Sequence, residues 1–221
     1  GQTVSELVGT EWFNGRYRRD LERLKPSVSA VVLYLALRCD PAGWGLTHEN
    51  FFYPSFDHDR HAAGMSDGDA GWFSLTVPTL SDSGLAPPGD HLMNLTVLVE
   101  PGAVKDWKAA KPTLTDRFLR LAESQLPGFR DAVVFSECAT PRTMERYTRN
   151  ESGALYGWEL SPGQVGTGRP ANASPLPGLF LAGHWAQPGG GVYGVARSGV
   201  RAARSILGHT TDSEFWSALG A

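Results

Sequence analysis

The chain has 221 residues, 41% hydrophobic and 19% charged, with a formal net charge of −3. That length allows one or two domains with a sizeable core, and the slight negative charge argues against a nucleic-acid partner, which needs basic surface to neutralise phosphates. The two cysteines, Cys39 and Cys138, are too few and too far apart for a disulfide framework or a metal-ligand spacing, so they are read as buried thiols.

Residues 1–26 read as helical, with Phe13, Tyr17, Leu21 and Leu24 forming an apolar stripe that Pro26 stops. VSAVVLYLALR (28–38) is rich in β-branched residues and reads as a buried strand. Its apolar core, residues 30–37, is far short of the roughly 20 residues that span a bilayer. HENFFYPSFDHDRHAAG (48–64) reads as a strand edge plus a loop. WFSLTV (72–77) and LMNLTVLVE (92–100) read as strands, separated by a Gly-, Pro- and Asp-dense surface loop at 81–91. TLTDRFLRLAESQL (113–126) reads as a helix capped by Thr113, with Leu114, Phe118 and Leu121 as its buried stripe. AVVFSE (132–137) is a further strand, and PRTMERYT (141–148) a short helix opened by proline. Residues 149–177 are rich in Gly and Pro and read as irregular.

The chain closes with LFLAGHWAQPGGGVYGVARSGVRAARSIL, residues 179–207. It reads as a strand, a loop carrying three consecutive glycines, and a helix. Val192, Ala196, Gly199, Ala203 and Ile206 share one face of that helix, and their small size would let its axis approach a sheet. Arg197, Arg201 and Arg204 form a neighbouring basic face, read as solvated. The glycines leave the backbone uncovered, and the helix start adds unpaired N–H donors and partial positive charge. Together these make an anion site.

The organisation expected is an α+β region over 1–148 with a mixed or antiparallel sheet. An irregular connection follows over 149–177, and 178–221 forms a strand–loop–helix segment that belongs in another sheet. The G-x-G-x-x-G fingerprint, the Walker pattern and G-x-S-x-G are absent from the sequence. Asp57, His58, Asp59 and His61 lie close together but lack a further ligand pair at good spacing, so no metal site is expected. Asn94, Asn150 and Asn172 each begin an Asn-x-Ser/Thr sequence. With no charged-then-apolar leader in view, these are read as chance occurrences in a cytoplasmic protein.

The closing stretch resembles the C-terminal flavin-binding segment of the phytoene desaturase–carotenoid isomerase group, within the flavin-containing amine oxidase superfamily. LKPSVSAVVLYLAL, VPTLSDSGLAPPGDHLMNLTVLVE, Thr140-Pro141, ESGALYGW and the GRP before the final strand are similar to that group in the same order. The resemblance covers almost the whole chain, with the closing motif its specific part.

The resemblance implies FAD as cofactor and C–C bond oxidoreduction of a hydrophobic substrate, a polyene or isoprenoid. It implies that Gly183, His184, Trp185, Pro188, Gly189, Gly190, Gly191 and Val192 lie at the flavin. Gly183 would pass close to the ribityl chain, and Gly190, Gly191 and Val192 would offer N–H groups to the pyrimidine edge. His184 departs from the acidic or small residue that many superfamily members carry after this glycine. Tyr156 and Trp158 are placed on the substrate side. No catalytic acid or base stands out.

The resemblance also implies a partner, an N-terminal Rossmann-like half supplied by the same precursor or by a separate chain. The isolated chain is then expected to be inactive, colourless and a weak or absent binder of FAD, with its closing strand and helix exposed, poorly ordered, or packed against another copy or chain. The alternative is a non-catalytic binding module or a subunit completed by a second chain. Peripheral membrane contact and homo-oligomerisation stay open.

Overall fold

The computed structural model describes residues 3–68 and 71–220; the parts of the expected segments at 1–2, 69–70 and 221 lie outside the described residues. The chain divides into two compact units, Ser29–Thr148 and Gly1–Val28 with Arg149–Ala221. They are called here the sheet unit and the loop–helix unit.

In the sheet unit, β1 (Ser29–Leu37) is an inner strand. β2 (Glu49–Phe52), β3 (Phe73–Thr76), β4 (His91–Val99) and β5 (Val133–Ala139) complete a five-stranded sheet of order β2-β3-β4-β1-β5. Every pairing is antiparallel. β1 and β4 pair along their full lengths, from Ser29 opposite Val99 to Leu37 opposite His91. Alternation sends Val31, Leu33, Leu35 and Leu37 of β1 and Met93, Leu95, Val97 and Val99 of β4 into one core. The helix over Trp107–Glu123 covers that core with Leu114, Phe118 and Ala122. The α+β class read from the sequence is the one observed.

Two elements of this unit differ from expectation. Residues 58–64, read as loop, form a helix because Asp57 accepts the Arg60 N–H at 3.0 Å and caps it. The covering helix starts at Trp107, not Thr113, because Asp106 accepts the Lys108 and Ala109 N–H groups at 3.0 and 3.1 Å. Pro112 lies inside that helix, one residue before the expected cap at Thr113.

With the helices numbered in chain order, α1 is Gly15–Glu22 of the loop–helix unit and α2 is His58–Gly64. α3 is Trp107–Glu123, α4 Phe129–Ala132 and α5 Pro141–Thr148. The single helix expected over 1–26 is broken: a π-helical turn (Thr3–Gly9) and a 3-10 turn (Thr10–Trp12) precede α1, which Asn14 caps by accepting the Tyr17 N–H. Residues 25–28 join this unit through backbone bonds. Ser27 donates to Gly157 O, Leu155 to Val28 O and Glu159 to Lys25 O, and Pro26 bridges Trp158.

The strand expected at LFLAG is reduced to one antiparallel bridge, Ala173 with Phe180. Ser174 N–H donates to Leu179 O, and Leu181 N–H to Asn172 O. A three-residue partner gives a hairpin rather than a strand. The closing helix, α6 (Val192–Ile206), forms as expected and is followed by α7 (Asp212–Ala218). α6 buries Ser198 and Ala202, not the small-residue face. Val192 is 92% and Ile206 60% exposed. Arg197 and Arg204, read as solvated, both pair with Asp212, at 2.7 and 2.6 Å. The capping box of α7, Thr211 with Glu214, places that carboxylate beside them.

Cys39 and Cys138 are free, the first half-buried and the second buried. Burial raises both thiols above their ordinary pKa, which suits inert packing groups. Among the described residues no helix is long and apolar enough to cross a membrane.

Candidate functional site

The loop before α6 is organised by a residue that sequence patterning did not single out. Arg169 is 2% exposed. Its Nε donates to Gln164 O at 2.9 Å, Nη1 to Tyr156 O at 3.0 Å and to His184 O, and Nη2 to Trp158 O at 2.6 Å. One guanidinium thus ties together segments 156–158, 164 and 184. Burial lowers its pKa, and no carboxylate among the described residues offsets that loss. Only the Gly-Arg-Pro context marked the position, and it carries no periodic signal.

Asn172 is the second organiser. Its Nδ2 lies within donor distance of Leu181 O (2.9 Å), Gln187 O (3.1 Å), Ser198 O (3.3 Å) and Ser198 Oγ (2.9 Å). Ser198 is fully buried, and its Oγ accepts the Gly183 N–H at 3.0 Å. The Asn172 amide is therefore committed inside the fold, which is incompatible with a glycan on that nitrogen.

The expected site residues gather around these two. His184 and Trp185 are both held by Asn150, whose Oδ1 accepts from Trp185 Nε1 at 3.0 Å and His184 Nε2 at 3.3 Å. Trp158 is 4% exposed, donates Nε1–H to Trp185 O at 3.0 Å and meets the Trp185 ring edge-on at 4.8 Å. It is packed as core. Tyr156 is half-buried and lies against Gly190, where an added Cβ would come within 2.8 Å of the Tyr156 Cβ and 3.0 Å of its carbonyl oxygen. Pro188, after a cis peptide, accepts the Gly166 N–H at 3.1 Å.

Gly191 is the N-cap of α6 at φ +83, a conformation L side chains rarely adopt, with open space where a Cβ would stand. The space beside Gly183 is open too. Among the described residues, none supplies an acceptor to the N–H groups of Gly189–Gly194. The first turn of a 15-residue helix and the loop before it therefore present a row of free donors.

Burial, and then the charge of Arg169, lower the His184 pKa, while a hydrogen bond with the Leu155 backbone opposes them. His184 is thus neutral at neutral pH. A depressed folded pKa stabilises the fold above the unfolded value of about 6.5 and withdraws that stability as pH falls. Thermal melts of the chain are expected to drop as pH is lowered below the unfolded histidine value of about 6.5. His184→Gln should flatten that slope, and an unchanged slope in the variant would assign the acid sensitivity to another group.

The histidine and aspartate run at 57–61 serves the fold. His61 is 5% exposed, with Nε2 at 3.0 Å from Ser55 O. Among the described residues no group of three or more His, Cys, Asp or Glu could hold a metal ion.

A family model described as flavin containing amine oxidoreductase matches residues 17–207. The chain belongs to this family. Among relatives, the chloroplastic prolycopene isomerase of Daucus carota is 35% identical over 143 residues, 60% of this chain and 22% of that protein. Pyridine nucleotide-disulfide oxidoreductase domain-containing protein 2 of Mus musculus is 34% identical over 131 residues, 55% of this chain and 22% of that protein. A lycopene-forming phytoene desaturase of Pseudescherichia vulneris is 30% identical over 211 residues, 93% of this chain and 42% of that protein. The chain thus spans less than half the length of each of these relatives. Membership implies a flavin cofactor. The free donors at Gly189–Gly194 and the open space at Gly183 and Gly191 fit the polar edge of such a group.

Proposed function

We propose that this chain is part of an FAD-dependent oxidoreductase acting on carbon–carbon bonds of a hydrophobic substrate of the polyene or isoprenoid type. The observation that carries the reading is the row of free N–H donors opening α6 in a chain of the flavin family. The named activities of the carrot and bacterial relatives support the substrate class.

When bound, the flavin supplies the two-electron chemistry. The protein's part is positional and electrostatic. Gly190, Gly191 and Val192 would offer their N–H groups to the flavin, and the α6 start would add partial positive charge that favours an electron-rich ring edge. Gly183 leaves room for a chain of atoms to pass. Arg169 and Asn172 hold this backbone still, so the donors need no reorganisation when a ligand arrives. His184, Trp185, Pro188 and Gly189 frame the loop, and Tyr156 borders it.

A further stretch of polypeptide, from the same precursor or a separate chain, supplies the main anchor for the pyrophosphate and adenosine of FAD. Two observations support this: the partial span of the relatives, and the exposed α6 face of Val192, Tyr193, Ala196 and Ile206. Half of such a site meets the full entropic cost of capture with only part of the contacts.

The test is FAD titration of the 221-residue chain, followed by absorbance and by amide NMR. The purified chain is expected to be colourless and far from saturation at equimolar FAD. At high FAD, amide shifts should concentrate at Gly183 and Gly189–Gly194, and Gly191→Val should remove them. A yellow chain with stoichiometric flavin would overturn the two-part account. Shifts confined to other residues would overturn the site.

A further inference from the structure

We propose that the cavity between α3 and α5 of the sheet unit binds the phosphate groups of a small phosphorylated molecule, a diphosphate in preference to a single phosphate. The cavity measures about 700 Å³ and has Glu137, Cys138 and Ala139 of β5 in its wall. Two helices each present a pair of cations to it. Lys108 and Lys111 are three residues apart on α3, and Arg142 and Arg146 four apart on α5. Both spacings put the pair on one helix face. The lone carboxylate in this wall is Glu137, 3.6 Å from Lys111.

Four cations against one carboxylate make the lining net +3, in a chain whose net charge is −3. Gathering positive charge against the trend of the whole molecule costs Coulomb energy, which an entering anion relieves. A single phosphate carries about −1.5 to −2 near neutral pH, so a diphosphate comes nearer to matching the wall. Arginine forks suit phosphate oxygens geometrically, and Arg142 and Arg146 supply two.

The walls also offer rings. Tyr34 is 43% and Tyr147 77% exposed, and the Arg146 guanidinium lies 5.6 Å from the centre of the Tyr147 ring. The volume falls within the range of small-molecule sites. It has room for a diphosphate and an attached ring but not for an extended nucleic acid. The flavin reading plays no part in this argument, because all the residues named lie in the sheet unit.

Calorimetric titration of the full 221-residue chain with inorganic pyrophosphate at low ionic strength tests it. Saturable 1:1 binding is expected, and it should weaken at least about tenfold in Arg142→Gln/Arg146→Gln. Lys108→Gln/Lys111→Gln provides an independent second variant, and both should melt as the parent does because these side chains are at the surface. Arg201→Gln, from the cation cluster on α6, should change affinity less than about twofold. ADP binding more tightly than pyrophosphate would assign the ligand a ring, and equal affinities would assign a free diphosphate. Absence of saturable pyrophosphate binding overturns the proposal. So does binding that survives both double variants or falls equally with Arg201→Gln.

Discussion

Arg169→Met is expected to melt the loop–helix unit while leaving the sheet unit folded. The parent guanidinium is held by carbonyls of Tyr156, Trp158, Gln164 and His184, and it is 2% exposed. Burying a charge without a carboxylate is costly, and methionine removes that cost. It also leaves four buried carbonyls with no donor, each worth about 1–3 kcal/mol when orphaned. The second effect is larger. The net loss should be about 3–5 kcal/mol, or on the order of 15 °C in the melting of a unit this size. Arg169→Lys should fall between, because an ammonium is a compact point charge and cannot reproduce the planar fork. Denaturation followed by tryptophan fluorescence checks this, since Trp158 and Trp185 both report on the unit. A melt within about 2 °C of the parent would show that water replaces the guanidinium without loss.

The elements that could be read from sequence are those whose pattern is repeated. β4 alternates through nine residues, and β1 is a near-continuous apolar run of the same length, which suits a strand covered on both faces. The stripe of Leu114 and Phe118 marked α3, although its start was hidden by Pro112 and by an aspartate cap six residues earlier. PGGGV marked the start of α6 through its glycines. Nothing periodic marks a single arginine or asparagine whose partners are backbone carbonyls far away in sequence, and Arg169 and Asn172 organise the site in that way. The small-residue face of α6 reads as a contact face, yet the helix turns Ser198 and Ala202 inward and leaves Val192 and Ile206 exposed. Burial followed the polar partners Asn172 and Gly183, not side-chain size. The Thr211–Glu214 capping box is present in the sequence as T-x-x-E, a signal for α7 that the reading of the closing stretch passed over, and with it went Asp212, the partner of Arg197 and Arg204.

Asn172→Asp should be the most informative single substitution at the site. It preserves size and shape and exchanges two N–H donors for an acceptor. Four acceptors surround that position: Leu181 O, Gln187 O, Ser198 O and Ser198 Oγ. Asn172→Ala leaves these acceptors short of donors and should cost about 2–4 kcal/mol. Asn172→Asp adds a charge in a site 6% exposed, facing oxygens, and should cost more near neutral pH. The new carboxyl's pKa is then raised in the folded state above its unfolded value of about 3.9, by burial and by neighbours that favour the protonated form. A raised folded pKa gives stability below the unfolded value and loses it as pH rises through the folded one. Asn172→Asp should therefore be the less stable of the two variants near pH 7.5, and the gap should narrow or reverse near about pH 4.5. Urea melts of both variants at the two pH values measure this. Hydrogen exchange at Gly183 gives a local reading, because its N–H is held by Ser198 Oγ, which Asn172 positions. That amide should exchange faster in both variants. If Asn172→Asp matches the parent in stability at both pH values and Gly183 keeps its protection, then Asn172 is not what holds the loop before α6 in its donor-exposing form.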